Sequence, residues 1–464
     1  VTDRQNPSGR SPSPVAPRPA VSAPSPFRSR SFLLLLVAQL LGGSGMWMLR
    51  MAADWLVLDL TGSSEAVGVL VALQFLPLLL VGPWGGVLAD RHDKRRLVEL
   101  AQGAQALLAV SLAALTFTGA IAVWHLYVAA ALMGLVSAVD QPARQVLVGE
   151  TVGDAHLQPA VSAMNALNQA GGMIGPAVAG LVIHQWGEGW AFTTNAVVAV
   201  CVVSLVLTMR TRDLHLTPRV PPSKGQVREG VRYVRERPRL SWVIVLAGLM
   251  GALGMNGPVV LTAFAQDVWD TGPAGFGLYN SVSAVGAFVG VVVAARYVRV
   301  RARSVVVASG AFAVTEVVAA LAPSPAAFLV MLALVGAATL VFLTTAATLV
   351  QLTAEPSVRG RVLALYTPLL LGGHACGGLL QGWLTEELGV RTGLVVTGAF
   401  ALAATTCVAI ALARVRRDGA SWSSSSGPAR TAPVGSVTPD PRRSAGRCRA
   451  APRATDPRGG IPDA

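Results

Sequence analysis

The sequence predicts an all-α polytopic membrane protein with twelve transmembrane helices in two pseudo-symmetric six-helix bundles. Three observations lead there. The 464 residues are 53% hydrophobic and only 13% charged, whereas a soluble domain carries about a quarter charged residues. Many separate apolar runs reach the roughly 20 residues needed to cross a bilayer as a helix. The cations collect in alternate loops and in both tails, the distribution that the positive-inside bias produces.

Taken in order, the expected spans are 32–60, 66–89, 97–118, 121–143, 160–184, 190–210, 240–266, 274–298, 304–322, 325–350, 361–385 and 390–414. An even number puts both ends of the chain on one side. The tails, the 90–96 loop, Arg144, the 211–239 segment, the Arg296–Arg303 loop and Arg359/Arg361 hold the cations. The opposite loops hold Glu65, Glu188, Asp267, Asp270, Glu386 and Glu387, with Arg391 the exception. The expectation is a multi-pass protein of the plasma membrane with both termini cytoplasmic. That placement accounts for the net charge of +13 and argues against nucleic acid as a partner.

Composition shifts divide the chain. Residues 1–31 and 415–464 are rich in Pro, Ser and Arg and are expected to be disordered cytoplasmic tails. The first tail lacks the apolar centre of a cleavable signal, so the first span is expected to direct insertion. Between the tails lie an N-terminal six-helix bundle at 32–210, a cytoplasmic linker at 211–239 and a C-terminal bundle at 240–414. The linker carries a basic amphipathic stretch in which Val227, Val231 and Val234 share one face and Arg228, Arg232 and Arg235 another. Such a helix suits the inner membrane surface. The halves echo one another: Gly171, Gly175 and Gly180 recur at the same spacing as Gly373, Gly377 and Gly382. Thr61-Gly62 with Gly68 likewise echoes Thr271-Gly272 with Gly277. Two parallel repeats of this kind place a substrate path between them.

The most informative stretch is Gly85-Gly86-Val87-Leu88-Ala89-Asp90-Arg91-His92-Asp93-Lys94-Arg95-Arg96, a cationic hairpin between spans 2 and 3. It resembles the signature loop of the major facilitator superfamily, G-x-L-A-D-R-x-x-x-R-R/K, at Gly86, Asp90, Arg91, Lys94 and Arg95. The resemblance implies that this loop braces the two halves on the cytoplasmic side, with Asp90 near the N-terminus of span 11, where Arg361 lies. Asp140-Gln141-Pro142-Ala143-Arg144-Gln145 and Arg359-Gly360-Arg361-Val362 together resemble the enterobactin-exporter-like branch. Arg144 has two candidate partners in the inner gate, Asp90 and Asp140. In span 5, Gly171, Gly175, Pro176 and Gly180 resemble the G-P-x-x-G-G element of drug/proton antiporters, with Ala179-Gly180 in place of its glycine pair. Tight helix packing is an equal reading of that stretch.

Ionisable groups inside spans are costly and usually face a cavity. Arg50 and Asp54 are one turn apart and share a face, so Arg50 is expected to hold Asp54 as a carboxylate until substrate or proton arrives. A structural pair near the outer surface is the competing reading. Gly42-Gly43-Ser44-Gly45, just before, is expected to loosen the helix. Glu316 and His374 are further candidates for carrying protons. The four cysteines have no metal-ligand spacing. The sequence contains neither a phosphate-binding Gly-x-x-x-x-Gly-Lys-Ser/Thr loop nor a hydrolytic constellation, so no enzyme activity and no cofactor beyond a proton gradient is expected. These readings converge on a monomeric secondary transporter in the lipid bilayer that expels a small amphipathic molecule (a drug, siderophore or secondary metabolite) in exchange for protons. Import of a small metabolite, lipid translocation and a non-transporting scaffold or sensor are the alternatives. A scaffold would need a sizeable extramembrane module, and the tails offer none.

Overall fold

The computed structural model describes residues 30–152, 157–209, 226–297, 300–355 and 358–425. Within them the side chains of 83, 85–87, 89–91, 226–230, 364 and 416–425 lie outside the description. Twelve helices are long and apolar enough to cross a membrane. The first six are α1 (Arg30–Thr61), α2 (Ser64–Arg91), α3 (Lys94–Phe117), α4 (Val123–Val152), α5 (Leu157–Trp186) and α6 (Glu188–Leu207). A short α7 (Gln226–Arg235) follows. The seventh span is built from α8 (Pro238–Gly254), α9 (Gly257–Ala263) and a π turn at Phe264–Val268. The series ends with α10 (Gly272–Tyr297), α11 (Ala302–Ala320), α12 (Pro325–Thr353), α13 (Arg359–Leu388) and α14 (Val390–Ser425).

Local chemistry sets the helix ends. Ser63 opens α2 and Ser324 opens α12, each hydroxyl accepting from the backbone N–H three residues on. Asp93 opens α3 by accepting from the Arg96 N–H at 3.3 Å. Its carboxylate thereby sits at the positive end of that helix. Equivalent turns in the two halves share their geometry: φ is 64° at Gly62 and 61° at Gly272, then 86° at Gly187 and 81° at Gly389. That left-handed region is open to glycine at no steric cost.

Three expectations need correction. Helix α4 does not stop at 143 but runs through Pro142 to Val152. Beyond the proline, Ala143, Leu147 and Val148 stay buried in a cluster with residues of α1, α3 and α5, and this packing outweighs the lost backbone bond. Helix α1 is continuous across Gly42-Gly43-Ser44-Gly45. Those small residues form a contact surface instead, Gly43 and Ser44 against α5 and the Gly45 carbonyl accepting from Asn195 Nδ2. The break falls in the seventh span, at Met255 and Asn256 ahead of Pro258, since Pro258 has no N–H to give the carbonyl four residues back and its ring crowds that carbonyl. Asn256 Nδ2 donates to the Ala252 carbonyl at 2.9 Å, satisfying a group that the break leaves open. Helix α14 also extends past 414, to Ser425. Residues 1–29 and 426–464 lie outside the described residues, so the expectation of disorder there does too.

The turns divide into an acidic face, which carries Glu65, Glu188, Asp267, Glu386 and Glu387, and a basic face, which carries Lys94, Arg95, Arg296 and Arg359. Arg391, the cation on the wrong side, caps α11: its guanidinium donates to the carbonyls of Ala320 at 3.1 Å and Ala322 at 2.8 Å. On the basic face Arg95 does the same for α6, donating to Leu207 O at 2.7 Å and Met209 O at 2.8 Å. The linker helix is held chiefly by Tyr233, with Val234 half-buried beside it. Tyr233 is buried while Val231 is exposed. The Tyr233 hydroxyl accepts from the Glu355 N–H at 3.1 Å, and Arg237 lies 3.6 Å from the Tyr233 ring and 2.7 Å from the Glu355 carboxylate.

In the first half, α1 packs on α5 and α6, α2 on α4, and α3 on α4 and α6. In the second, α8 packs on α13 and α12 on both α10 and α11. The main contacts between halves are α2 with α13 and α5 with α10, and α9 also touches α1 and α2. The buried side chains follow this division. Toward the acidic face a single core joins both halves, from Met48–Leu58 and Phe192 to Phe264, Phe276, Phe328 and Leu394. Toward the basic face the core splits. Phe32, Leu97, Leu147 and Val206 belong to a first-half cluster, while Leu240, Phe312, Phe342 and Val408 belong to a second-half one. The molecule is welded at one end and forked at the other.

The repeated glycines make the weld, and each triplet has two faces. A Cβ at Gly171 would lie 2.8 Å from Ser44 N, and one at Gly175 would meet the Ser44 carbonyl, so both positions press α5 onto α1 within a half. Gly180 faces α10, its would-be Cβ 2.7 Å from Pro273 O and 3.0 Å from Gly277 Cα. In the second half Gly373 and Gly377 press α13 onto α8, and Gly382 faces α2, 2.8 Å from Ser64 O. Leucine therefore has different consequences at neighbouring sites. Gly175→Leu should destabilise the fold by about 1–3 kcal/mol, read as a lower melting temperature in detergent. Gly180→Leu should leave the melting temperature near the parent's and increase thiol labelling of Ser64→Cys on the acidic face. Equal melting temperatures for the two variants would contradict this division of labour.

Candidate transport cavity

Between the halves lies a cavity of about 290 Å³. The weld closes it toward the acidic face. There Glu386 Oε2 accepts from Ser63 Oγ at 3.2 Å and from the Ser64 N–H at 3.0 Å, and Ser281 Oγ of α10 donates to Met173 O of α5 at 2.9 Å. The walls come from α1, α2 and α5 on one side and from α8–α10, α12 and α13 on the other. They are largely apolar and aromatic, with Trp47, Phe75, Phe276, Leu261 and Leu340 prominent.

Among these residues stand Arg50, Asp54, Gln74 and His374. Arg50 is 7% exposed and Asp54 2%. Their helical spacing puts them on one face as expected, but they do not join. Five ion pairs form among the described residues, and Arg50–Asp54 is not one of them. Asp54 accepts instead from Gln74 Nε2 at 3.0 Å. The Arg50 guanidinium lies 5.0 Å from the Phe75 ring centre and 5.7 Å from that of Trp47, within cation–π range. Among the described residues its Nε has no hydrogen-bond partner, nor has His374 Nε2. Phe75 also meets the His374 ring at 4.2 Å between centroids, so a ladder of Trp47, Arg50, Phe75 and His374 runs from one half to the other. Physically, α2 competes successfully for both charged groups. Gln74 offers a neutral donor and Phe75 a quadrupole, and neither has to be stripped of a tightly held water shell.

The sequence did not single out Gln74, Phe75 or Trp47. A usable signal was present: Gln74 is the polar residue in the apolar run Val67–Val81 of span 2. Gly134 of α4 lies against the Gln74 carbonyl and Pro77, fixing α2 where Gln74 can reach Asp54. Of the other candidates, His374 lines the cavity but Glu316 does not. Glu316 is buried in α11 with Oε2 unpartnered, away from the lining residues. In the span-5 element, Pro176 lines the cavity while Gly171 and Gly180 serve the packing seams.

On the basic face, Arg144 takes Asp140 as its partner, Nε to Oδ2 at 2.7 Å. Lys94 reaches Glu150 at 3.3 Å and Arg95 reaches Glu99 at 2.8 Å. These pairs stay within the first half. Arg361 is half-buried at the start of α13. The side chains of Gly86, Asp90 and Arg91 lie outside the described residues, although the α2 backbone carrying them does not.

Comparison with known proteins agrees with this architecture. Over 58% of its length the chain is 24% identical to the staphyloferrin A transporter of Staphylococcus aureus, spanning 65% of that protein. It is 25% identical to the multidrug efflux pump Tap of Mycolicibacterium fortuitum, over 77% of this chain and 90% of that one. A solved bacterial homologue of the human lysosomal transporter Spinster shares the fold at a TM-score of 0.67 and 15% identity, covering 84% of this chain and 98% of the other. Residues 21–438 match the family described as transmembrane secretion effectors. The chain belongs to that family, within the major facilitator superfamily.

Proposed function

We propose that the protein is a secondary active exporter of the plasma membrane that carries a small amphipathic molecule outward as protons move inward. One observation carries this reading: a cavity with buried charged groups lies between two six-helix halves that share a core at only one end. A chain built this way can expose the cavity to either side by exchanging the weld for a second set of contacts. The cation distribution favours a cytoplasmic basic face and cytoplasmic termini, so the state described opens inward. The efflux activities named for related proteins, a macrolide efflux protein and a multidrug efflux pump, favour the outward direction. One chain supplies both walls of the cavity, which suits a monomer.

The residues take distinct roles. Asp54 carries the proton, Gln74 holds its carboxyl group in place, and Arg50 and His374 supply the remaining polarity. Asp90 and Arg91, with Lys94, Arg95, Arg144 and Arg361 behind them, close the basic face in the opposite state. Loss of a contact made in only one state shifts the population of states.

Two experiments test these assignments. In proteoliposomes, an exported fluorescent amphiphile should accumulate only while a pH gradient is maintained, with proton flux accompanying it. Asp54→Asn should abolish uphill accumulation and leave downhill exchange largely intact. Uphill transport by Asp54→Asn with the parent's pH profile would reject the assignment of the proton to Asp54. In a cysteine-free background, Asp90→Asn should raise thiol labelling inside the cavity from the basic face and lower it from the acidic face. Unchanged labelling on both faces would remove Asp90 from the gate.

A further inference from the structure

The separation of Arg50 and Asp54 says what the cavity is built to hold. Two opposite charges one helical turn apart, each more than nine-tenths buried, would ordinarily neutralise one another. Here each is held by a neutral neighbour, Asp54 by the Gln74 amide and Arg50 by the faces of Phe75 and Trp47. Neither neighbour cancels a charge. Arg50 Nε is left without a hydrogen-bond partner while lining the cavity. His374, the remaining ionisable group of the lining, faces Phe75 from the opposite wall, and among the described residues its Nε2 is unpartnered. The result is a fixed positive pole and a fixed negative pole side by side on an otherwise apolar wall.

A ligand with one charge satisfies one pole and leaves the other facing it unfavourably. An anion on Arg50 is repelled by Asp54, and a cation on Asp54 is repelled by Arg50. A ligand that carries both charges satisfies both. On the export reading given above, we infer that the cavity takes a zwitterionic amphiphile, its anionic group on Arg50, its ammonium on Asp54 and its apolar body against Phe276 and Leu340. Such a ligand also explains how substrate and proton exclude one another. An ammonium seated on Asp54 occupies the carboxylate that the proton needs, and this competition is what exchange requires. The planar guanidinium fork matches a carboxylate, so the anionic group is best supplied as one.

The test uses four compounds with one aromatic body: 3-(2-naphthyl)alanine as zwitterion, its methyl ester as cation, its N-acetyl derivative as anion, and the N-acetyl methyl ester as neutral form. Binding to the full chain is measured by calorimetry in detergent, without any gradient. The zwitterion should bind at least ten-fold more tightly than each of the other three. Arg50→Gln should reduce it to the level of the cationic ester, and Asp54→Asn to that of the N-acetyl anion. A singly charged form binding as tightly as the zwitterion, or no binding by any of the four, would overturn the inference. The comparison within the parent protein decides even if a variant fails to fold. Because no vectorial transport is read, failure here leaves export standing, and failure of export in liposomes leaves this preference standing.

Discussion

Backbone-to-backbone contact at the acidic face is the constraint on which the rest of this structure depends. In a bilayer the lipid chains are as apolar as leucine, so helices associate through close packing rather than through a hydrophobic drive. The crossings of α5 with α10 and of α2 with α13 achieve it by removing side chains altogether, at Gly180 and Gly277 and at Gly68, Gly378 and Gly382. These contacts are extensive enough to close the cavity at one end. Large side chains also meet across this end, Trp55 of α1 stacking on Phe276 of α10 at 6.2 Å between ring centroids. The clasp from Glu386 to Ser63 and Ser64 adds polar contacts at the rim of the same seam.

The cavity follows from that seam. With the halves joined at one end only, residues near mid-span face each other across a gap, and the gap is where buried charge becomes tolerable. Arg50 and Asp54 occupy it, while Gln74 and Phe75 on α2 keep them apart. Helix α2 thus acts twice. Its N-terminal end seals against α13, and its middle sets the state of the charged pair. Sliding α2 past α13 would therefore disturb seal and site together, a direct physical route by which loading of the cavity can bias the gate.

Much of this was legible in the sequence for identifiable reasons. Long apolar runs and turn glycines located the helices, and matched glycine spacings in spans 5 and 11 announced the repeat, while the seam that each position serves shows only in the packing. Arg50, Asp54 and His374 stood out because ionisable groups in lipid need a reason to be there. Other features were hidden. The partner of Asp54 depends on how α2 rotates against α1, which Gly134 decides from a third helix. The course of α4 beyond Pro142 depends on tertiary burial, which local propensity does not encode. Tyr233 anchors the linker helix to Glu355, a residue far along the chain. Glu316 looked equivalent to His374 in sequence, yet it is not among the residues that line the cavity.

Alternating closure requires the weld and the fork to exchange ends. Paired spin labels at Glu65→Cys with Glu387→Cys would report the acidic face, and at His92→Cys with Arg359→Cys the basic face, each in a cysteine-free background. Double electron–electron resonance with the protein in lipid nanodiscs should give two distance populations for each pair. When the pH is changed or ligand is added, the short population at one face should grow as the long population grows at the other. Distances that stay single at both faces, or that shorten and lengthen together, would contradict alternating closure and with it the account of the cavity.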